Sequence, residues 1–220
     1  MPALSRRERP AKPALTREGI VDAAVRLMAS EGLQRVTMRR LASELDTGPA
    51  SLYVYVANTY ELHAAILDRL LAQVDLAAGL DDWREGLQQV LGSYTDILLA
   101  HPSLAVSALN TRPNGPNYLA LLDTLLAFLA AGNIPAGQAA WGVDYLLQTA
   151  TATAAEHAAD NAATDAQWQQ LSDTLGAASP AAYPHVHAQA ADLVSGTPGE
   201  RRRWAIDMLI NGILATARPA

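Results

Sequence analysis

The 220-residue chain contains no cysteine. Disulfides, thiolate metal sites and thiol nucleophiles are therefore excluded together. It also lacks any apolar run near the roughly 20 residues that a membrane-spanning helix needs. Its opening residues, PALSRRERPAKPAL, carry no apolar core of the kind a secretion signal requires. A soluble cytoplasmic protein is expected. Apolar-polar alternation of strand length is missing too, so no sheet is expected and the fold class reads as all-α. The common catalytic signatures are absent: no Gly-x-Ser-x-Gly elbow, no Gly-Lys-Ser/Thr phosphate loop, no dinucleotide fingerprint and no His-Glu-x-x-His helix. His185-x-His187 and Glu156-His157 with Asp160 come nearest to metal-ligand spacing, and without thiolate help they read as surface histidines. No catalytic residue, cofactor or metal ion is expected.

Positive charge is scarce in total but unevenly spread. The formal net charge is −6. Residues 1–60 hold nine Lys or Arg against six Asp or Glu, a local +3, while residues 61–220 hold seven against sixteen, a local −9. An acidic body with a mildly basic head is the distribution of a DNA reader that carries a second, non-DNA domain. Half of the residues are hydrophobic, enough for a sizeable core. We read a flexible basic arm over 1–14, with Arg6, Arg7, Arg9 and Lys12 among prolines, then a three-helix unit over 15–60 and a larger helical domain over 61–220. The arm is placed either along DNA phosphates or in the minor groove, or is a solvated tail.

The most informative stretch is TMRRLASELDTGPASLYVYVAN, from Thr37 to Asn58. Met38, Leu41, Ala42 and Leu45 share one helical face behind an N-cap at Thr37, with Arg39, Arg40, Ser43 and Glu44 facing away. Asp46-Thr47-Gly48 breaks the period, and Pro49 suits the first position of a second helix because its missing N–H would be orphaned there anyway. Leu52 and Val56 turn inward and leave Ala50, Ser51, Tyr53 and Tyr55 outside. Two helices about a three-residue corner make a helix-turn-helix. A support helix precedes it, from an N-cap at Thr16 to a left-handed C-cap at Gly32.

Thr37, the Leu41-Ala42 pair and the Leu52-Tyr53-x-Tyr55-Val56-x-Asn58 run resemble the DNA-binding unit of TetR-family transcriptional regulators, over roughly residues 15 to 62. The run favours DNA reading over a helix pair used only for packing. Gly48, Ala57, Thr59 and Tyr60 depart from the pattern, and a customary Lys phosphate contact is missing. The resemblance implies an N-terminal three-helix DNA-binding domain and a larger helical domain for ligand binding and dimerisation. It further implies a homodimeric, ligand-responsive regulator on a near-palindromic double-stranded DNA operator, and repression before activation. Carried over by position, Arg39 is the guanine reader, Ala50, Ser51 and Tyr53 meet base edges, and Thr37, Tyr55 and Thr59 grip phosphates.

Beyond Asn58, a helix is expected from about Thr59 to Leu76, capped by Asn58 or Thr59, with exposed N-terminal amides able to hold a phosphate. It is the candidate element for transmitting a signal. Further helices are expected over 82–100, 103–110, 116–131, 136–160, 164–176, 181–194 and 199–217, separated by Gly and Pro breaks. The last is apolar nearly all round, with Trp204, Met208, Asn211 and Ala215 on one face, and the helix over 136–160 is rich in Ala and Thr. Together they are the expected homodimer interface, against the alternative of an internal pair in a monomer. Trp141, Tyr145, Gln148 and Ala152 form a stripe on the middle helix, which with Tyr118, Trp83 and Tyr94 is the candidate pocket for an unknown small-molecule effector. The competing functions are a helical enzyme, for which no motif speaks, and a scaffold that binds no specific DNA.

Overall fold

The computed structural model describes residues 14–77, 82–156 and 161–219. The basic arm, apart from Ala14, and the expected grouping of Glu156 with His157 and Asp160 lie outside the described residues, as does the end of the helix expected to reach residue 160. The chain divides into two compact units, Met1–Leu62 and His63–Ala220. Among the described residues every regular element is helical.

The first unit contains α1 (Arg17–Glu31), a 3-10 turn (Leu33–Arg35), α2 (Met38–Glu44), α3 (Pro49–Leu52) and the start of α4 (Thr59–Leu71). Thr16 caps α1, accepting from the Gly19 N–H at 3.0 Å. Gly32 ends α1 with φ 85 and ψ 157, positive in φ but extended in ψ, so it is not the left-handed helical cap expected. That conformation is open to glycine at little cost because there is no Cβ. It turns the chain into Leu33, which is buried. Ile20, Ala24, Leu41, Leu52 and Val56 form the sealed centre of this unit.

Arg40 faces outward as its register requires but is not idle. Its Nε reaches Glu31 at 3.2 Å and its Nη1 reaches Glu44 at 3.0 Å, which braces α2 against the end of α1. The hydrogen bond from Arg40 holds the Glu31 carboxyl below its ordinary range. At the start of α4, Asn58 Oδ1 accepts from the Glu61 N–H at 2.9 Å, and Glu61 Oε2 accepts from the Ala57 N–H at 2.7 Å. Asn58 is thus the cap, with Glu61 reaching back as in a capping box.

The second unit adds α5 (Trp83–Leu99), α6 (Pro102–Ala108), α7 (Pro116–Ala131), α8 (Ala136–Glu156), α9 (Asn161–Gly176), α10 (Pro184–Leu193) and α11 (Pro198–Ala215) to the rest of α4. Helix α8 is the centre: α5, α6, α7 and α11 all pack on it. Its buried face is largely small, with Ala139, Gly142, Ala150, Thr151 and Ala154 beside Val143, Leu146 and Leu147, so neighbouring backbones come close. At Gly142 an added Cβ would fall 2.7 Å from Ile213 of α11. Thr197 and Glu200 close a capping box at the start of α11.

Three helix ends differ from the sequence expectation, each for a local reason. Helix α4 stops at Leu71 rather than near Leu76 because Asp75 holds the chain in a turn: its Oδ1 accepts from the Ala77 N–H at 3.1 Å, and its own N–H donates to Ser93 Oγ at 3.1 Å. Such side-chain bonds compete with the helical ladder. Helix α10 starts at Pro184, not 181, since Pro disfavours helical backbone in the residue before it, and Tyr183 sits at φ −133, ψ 61. The second helix of the helix-turn-helix is short: only Pro49–Leu52 is α-helical, followed by turns that the Tyr55 and Val56 N–H groups close onto the Leu52 carbonyl at 2.9 and 3.0 Å. No helix among the described residues is long and apolar enough to cross a membrane.

Candidate nucleic-acid interface and small-molecule cavity

The candidate reading surface is built on one buried anchor. Leu52 is fully buried, while Ala50, Ser51 and Tyr53 around it are exposed and Tyr55 is half-buried. Pro49 starts the turn behind Gly48, which offers no side-chain cap. Arg39 stands exposed on α2, in contrast to its neighbour Arg40, which is held by two carboxylates. Thr37 is exposed, and its hydroxyl accepts from the Arg40 N–H at 3.1 Å. The same hydroxyl still has a proton to donate. Thr59 is exposed at the start of α4. The expected phosphate site on the α4 amides is less open than supposed, because the Glu61 carboxylate already occupies the Ala57 N–H and the Asn58 amide oxygen the Glu61 N–H.

One surface residue here was missed. Val54 is 80% exposed, the most exposed large apolar side chain of the segment. The signal was present: with Leu52 and Val56 taken inward at i and i+4, the residue midway between them must point out.

The body holds an internal cavity of about 90 Å³ lined by Leu67, Tyr94, Ala108, Leu109, Thr111, Arg112, Pro113, Tyr118, Asp144, Leu147, Gln148 and Thr151. Tyr94, Tyr118 and Gln148 come together here as expected. Trp83, Trp141 and Tyr145 do not line it. Trp83 sits at the corner of α5 and α7, so close that a Cβ on Gly132 would fall 2.8 Å from its ring, with the Arg84 guanidinium 4.8 Å from the ring centroid. Trp141 and Tyr145 are 53% and 58% exposed. Their stripe lies on the outer side of α8 because the small residues of the opposite side admit neighbouring helices. A wider groove of about 620 Å³, lined by Gln73, Asp75, Ser93, Asp96, His101 and neighbours, is open to solvent and has no aromatic wall.

Within the cavity wall, the Thr151 hydroxyl donates to the Leu147 carbonyl at 2.8 Å, so the Tyr94 hydroxyl, 2.7 Å away, must donate to Thr151 Oγ1. Burial pushes the Tyr94 phenol up to about 12, and it stays neutral. At the rim Arg112 pairs with Asp144. Helix α4 contributes Leu67 to the wall and is held on either side of it. His63 Nδ1 lies 2.8 Å from Ser107 Oγ of α6, and Asp68 Oδ1 accepts from the Tyr118 N–H of α7 at 2.9 Å. Burial lowers the His63 pKa, favouring the neutral ring. Sequence periodicity marked none of His63, Asp68 or Thr111, because their partners are 44 or more residues away or absent.

Helices α8 and α11 leave an apolar face uncovered. Trp141 and Tyr145 on α8 and Trp204, Met208 and Leu214 on α11 are all exposed. Only Ile206 and Ile210 of α11 are buried, so the helix is covered on one side. Gln138 Nε2 donates to the Ile213 and Thr216 carbonyls at 2.9 Å and fixes the two helices together.

Comparison with known proteins bears on both parts. Residues 20–66 match the family model of bacterial regulatory proteins of the tetR family, and residues 77–217 match that of the tetracyclin repressor-like C-terminal domain. An HTH-type transcriptional regulator of Saccharopolyspora erythraea is 31% identical over 217 residues, covering 94% of this chain and 87% of that one. Among solved structures, a proposed transcription regulator from Streptomyces coelicolor is 55% identical with a TM-score of 0.82, covering 95% of this chain and 99% of that one. The TetR family protein ActR of the same organism, in complex with actinorhodin, is 31% identical with a TM-score of 0.81, covering 92% and 98%. The chain spans about half the length of the Escherichia coli class D tetracycline repressor that it also matches, at 31% identity over 118 residues.

Proposed function

Because the chain belongs to the TetR family of helix-turn-helix transcriptional regulators, and not to a family of enzymes, we propose that it represses transcription by binding a near-palindromic operator as a homodimer and releasing it when a small molecule fills the body cavity. The observation that carries this is the short segment from Pro49 to Tyr55, which presents Ala50, Ser51 and Tyr53 to solvent around one buried leucine. Such a surface fits a major groove, with half-sites about one helical turn apart on the operator. A mobility-shift titration with DNA flanking the protein's own gene tests it. Saturable, sequence-dependent binding of two protomers per site is expected, and equal affinity for unrelated DNA overturns it.

Arg39 is the proposed base reader, since it is exposed and its neighbour Arg40 is committed to Glu31 and Glu44. Arg39→Ala is expected to weaken operator binding by about 1 to 3 kcal/mol and to relax preference at one base pair per half-site. A uniform loss over all sequences would make it a phosphate ligand. Ser51 and Tyr53 supply further edge contacts, and Thr37, Tyr55 and Thr59 the backbone contacts.

The proposed homodimer interface is the uncovered face of α8 and α11. Large apolar side chains gathered on two adjacent helices mark an interaction surface, and a two-fold pairing of α8 and α11 covers both helices of both copies. Trp204→Glu with Met208→Glu is expected to yield a monomer by analytical ultracentrifugation, with operator affinity falling more than ten-fold because the two half-sites no longer act together. A double variant that stays dimeric excludes this face. ActR was solved with actinorhodin. For the present chain, the corresponding proposal is a ligand between α4, α5, α7 and α8, touching Tyr94, Tyr118 and Gln148, which shifts the population toward a dimer unfit for the operator.

A further inference from the structure

The chemistry of the cavity wall narrows what fits inside it, and this inference rests on the effector-site reading above. The only charged side chains in the lining are Arg112 and Asp144, and they pair with each other. A charged ligand would find no unspent counter-charge, and burying an unpaired charge is costly. The remaining polar atoms are uncharged hydroxyls and one amide. The Tyr94 proton is committed to Thr151, which leaves the phenol oxygen as an acceptor. The Thr111 hydroxyl is buried and has no hydrogen-bond partner. Buried polar groups are nearly always satisfied, so an orphan in a cavity wall calls for an explanation.

We propose that the cavity takes an uncharged one- or two-ring molecule bearing a hydroxyl group, which hydrogen-bonds Thr111 and Tyr94 between apolar walls supplied by Leu67, Leu109 and Leu147. A volume of about 90 Å³ is room for several water positions and sets the size limit. The hydroxyl on the ring donates to the Tyr94 oxygen and accepts from Thr111, or the reverse arrangement is met by the rotating threonine hydroxyl. The same site disfavours carboxylates and amines of equal size.

The test is equilibrium dialysis of the full-length protein against three probes of one size: 1-naphthol, naphthalene and 1-naphthoate. 1-Naphthol is expected to bind roughly ten-fold more tightly than either of the others, the value of one good hydrogen bond in a dry site. Thr111→Val keeps the shape and removes the hydroxyl, so the variant is expected to bind 1-naphthol no better than naphthalene. Its thermal midpoint without ligand should match or exceed that of the parent, because the hydroxyl it loses has no partner there. That second readout separates ligand recognition from a structural role. Tightest binding of 1-naphthoate, equal binding of 1-naphthol and naphthalene, unchanged 1-naphthol binding by the valine variant, or no binding of any probe overturns the proposal. Thr111-dependent binding of 1-naphthol that leaves operator affinity unchanged supports the cavity chemistry and refutes the effector reading alone.

Discussion

Leu52→Ala is expected to abolish specific operator binding while the body domain stays folded. Helix α3 spans Pro49–Leu52, a single turn, and a turn of that length has no stability of its own. It is kept in place by its one buried residue, Leu52, which has no exposed surface and carries on its carbonyl the bonds from the Tyr55 and Val56 N–H groups. Truncating a buried leucine to alanine costs about 2 to 5 kcal/mol through lost transfer energy and the cavity left behind. In a head of some 60 residues with a correspondingly small core, that is a large share of the whole stability. Ala50, Ser51 and Tyr53 then lose their common platform, although none has been altered. Hydrogen exchange is the second measurement. Amides of α2 and α3 should lose protection while those of α5 and α8 keep theirs. An alanine variant with parental operator affinity would show that the reading surface does not depend on this anchor.

The same residue illustrates what a sequence makes legible. Leu52 and Val56 could be assigned inward from spacing alone, as could the caps at Thr16 and Thr37 and the start of α3 at Pro49, because each depends on partners within four residues. Helix α7 has both its ends where Pro116 and the Gly132-Asn133 break put them. Spacing identifies a stripe, however, and not which side of the helix the neighbours choose. On α8 the aromatic stripe of Trp141 and Tyr145 looked like a pocket wall and lies at the surface, because close packing of α11 at Gly142 selects the small face. Short elements were overestimated for a related reason. The periodicity through Tyr53 and Val54 continues past Leu52 on paper, while the backbone has already left the helix for turns. The contacts that build the cavity were the least legible. Tyr94 meets Thr151 across 57 positions and Asp68 meets Tyr118 across 50, and no local pattern encodes such pairs.

Asp68→Ala is expected to lower the stability of the body domain by about 2 to 4 kcal/mol, from an unsatisfied buried donor together with a lost helix cap. Asp68 lies in the middle of α4 with Ile66, Leu67, Leu70 and Leu71 and is itself buried. Helix α7 begins at Pro116 behind Gly115, which has no side chain to cap it. Asp68 supplies the cap from another helix. Its Oδ1 accepts from the Tyr118 N–H at 2.9 Å and its Oδ2 from Asn117 Nδ2 at 3.2 Å, which places a carboxylate at the positive end of the α7 dipole. The fit requires glycine at 115, where a Cβ would fall 2.2 Å from the carboxylate. Asp68→Asn keeps one acceptor for the Tyr118 N–H and gives up the charge, so about half the loss is expected for it. Urea titrations read both variants, with the midpoint falling at an unchanged slope. The position also has a consequence for signalling. Leu67 is part of the cavity wall, Tyr118 is another part, and Asp68 ties the two, while α4 begins in the DNA-reading unit. A ligand that pushes α7 outward therefore pulls on α4 through this one bond. In Asp68→Ala, an effector should still bind the cavity but shift operator affinity much less than in the parent. A variant as stable as the parent, or one that releases DNA as readily on ligand binding, would show that α4 and α7 are coupled by packing alone.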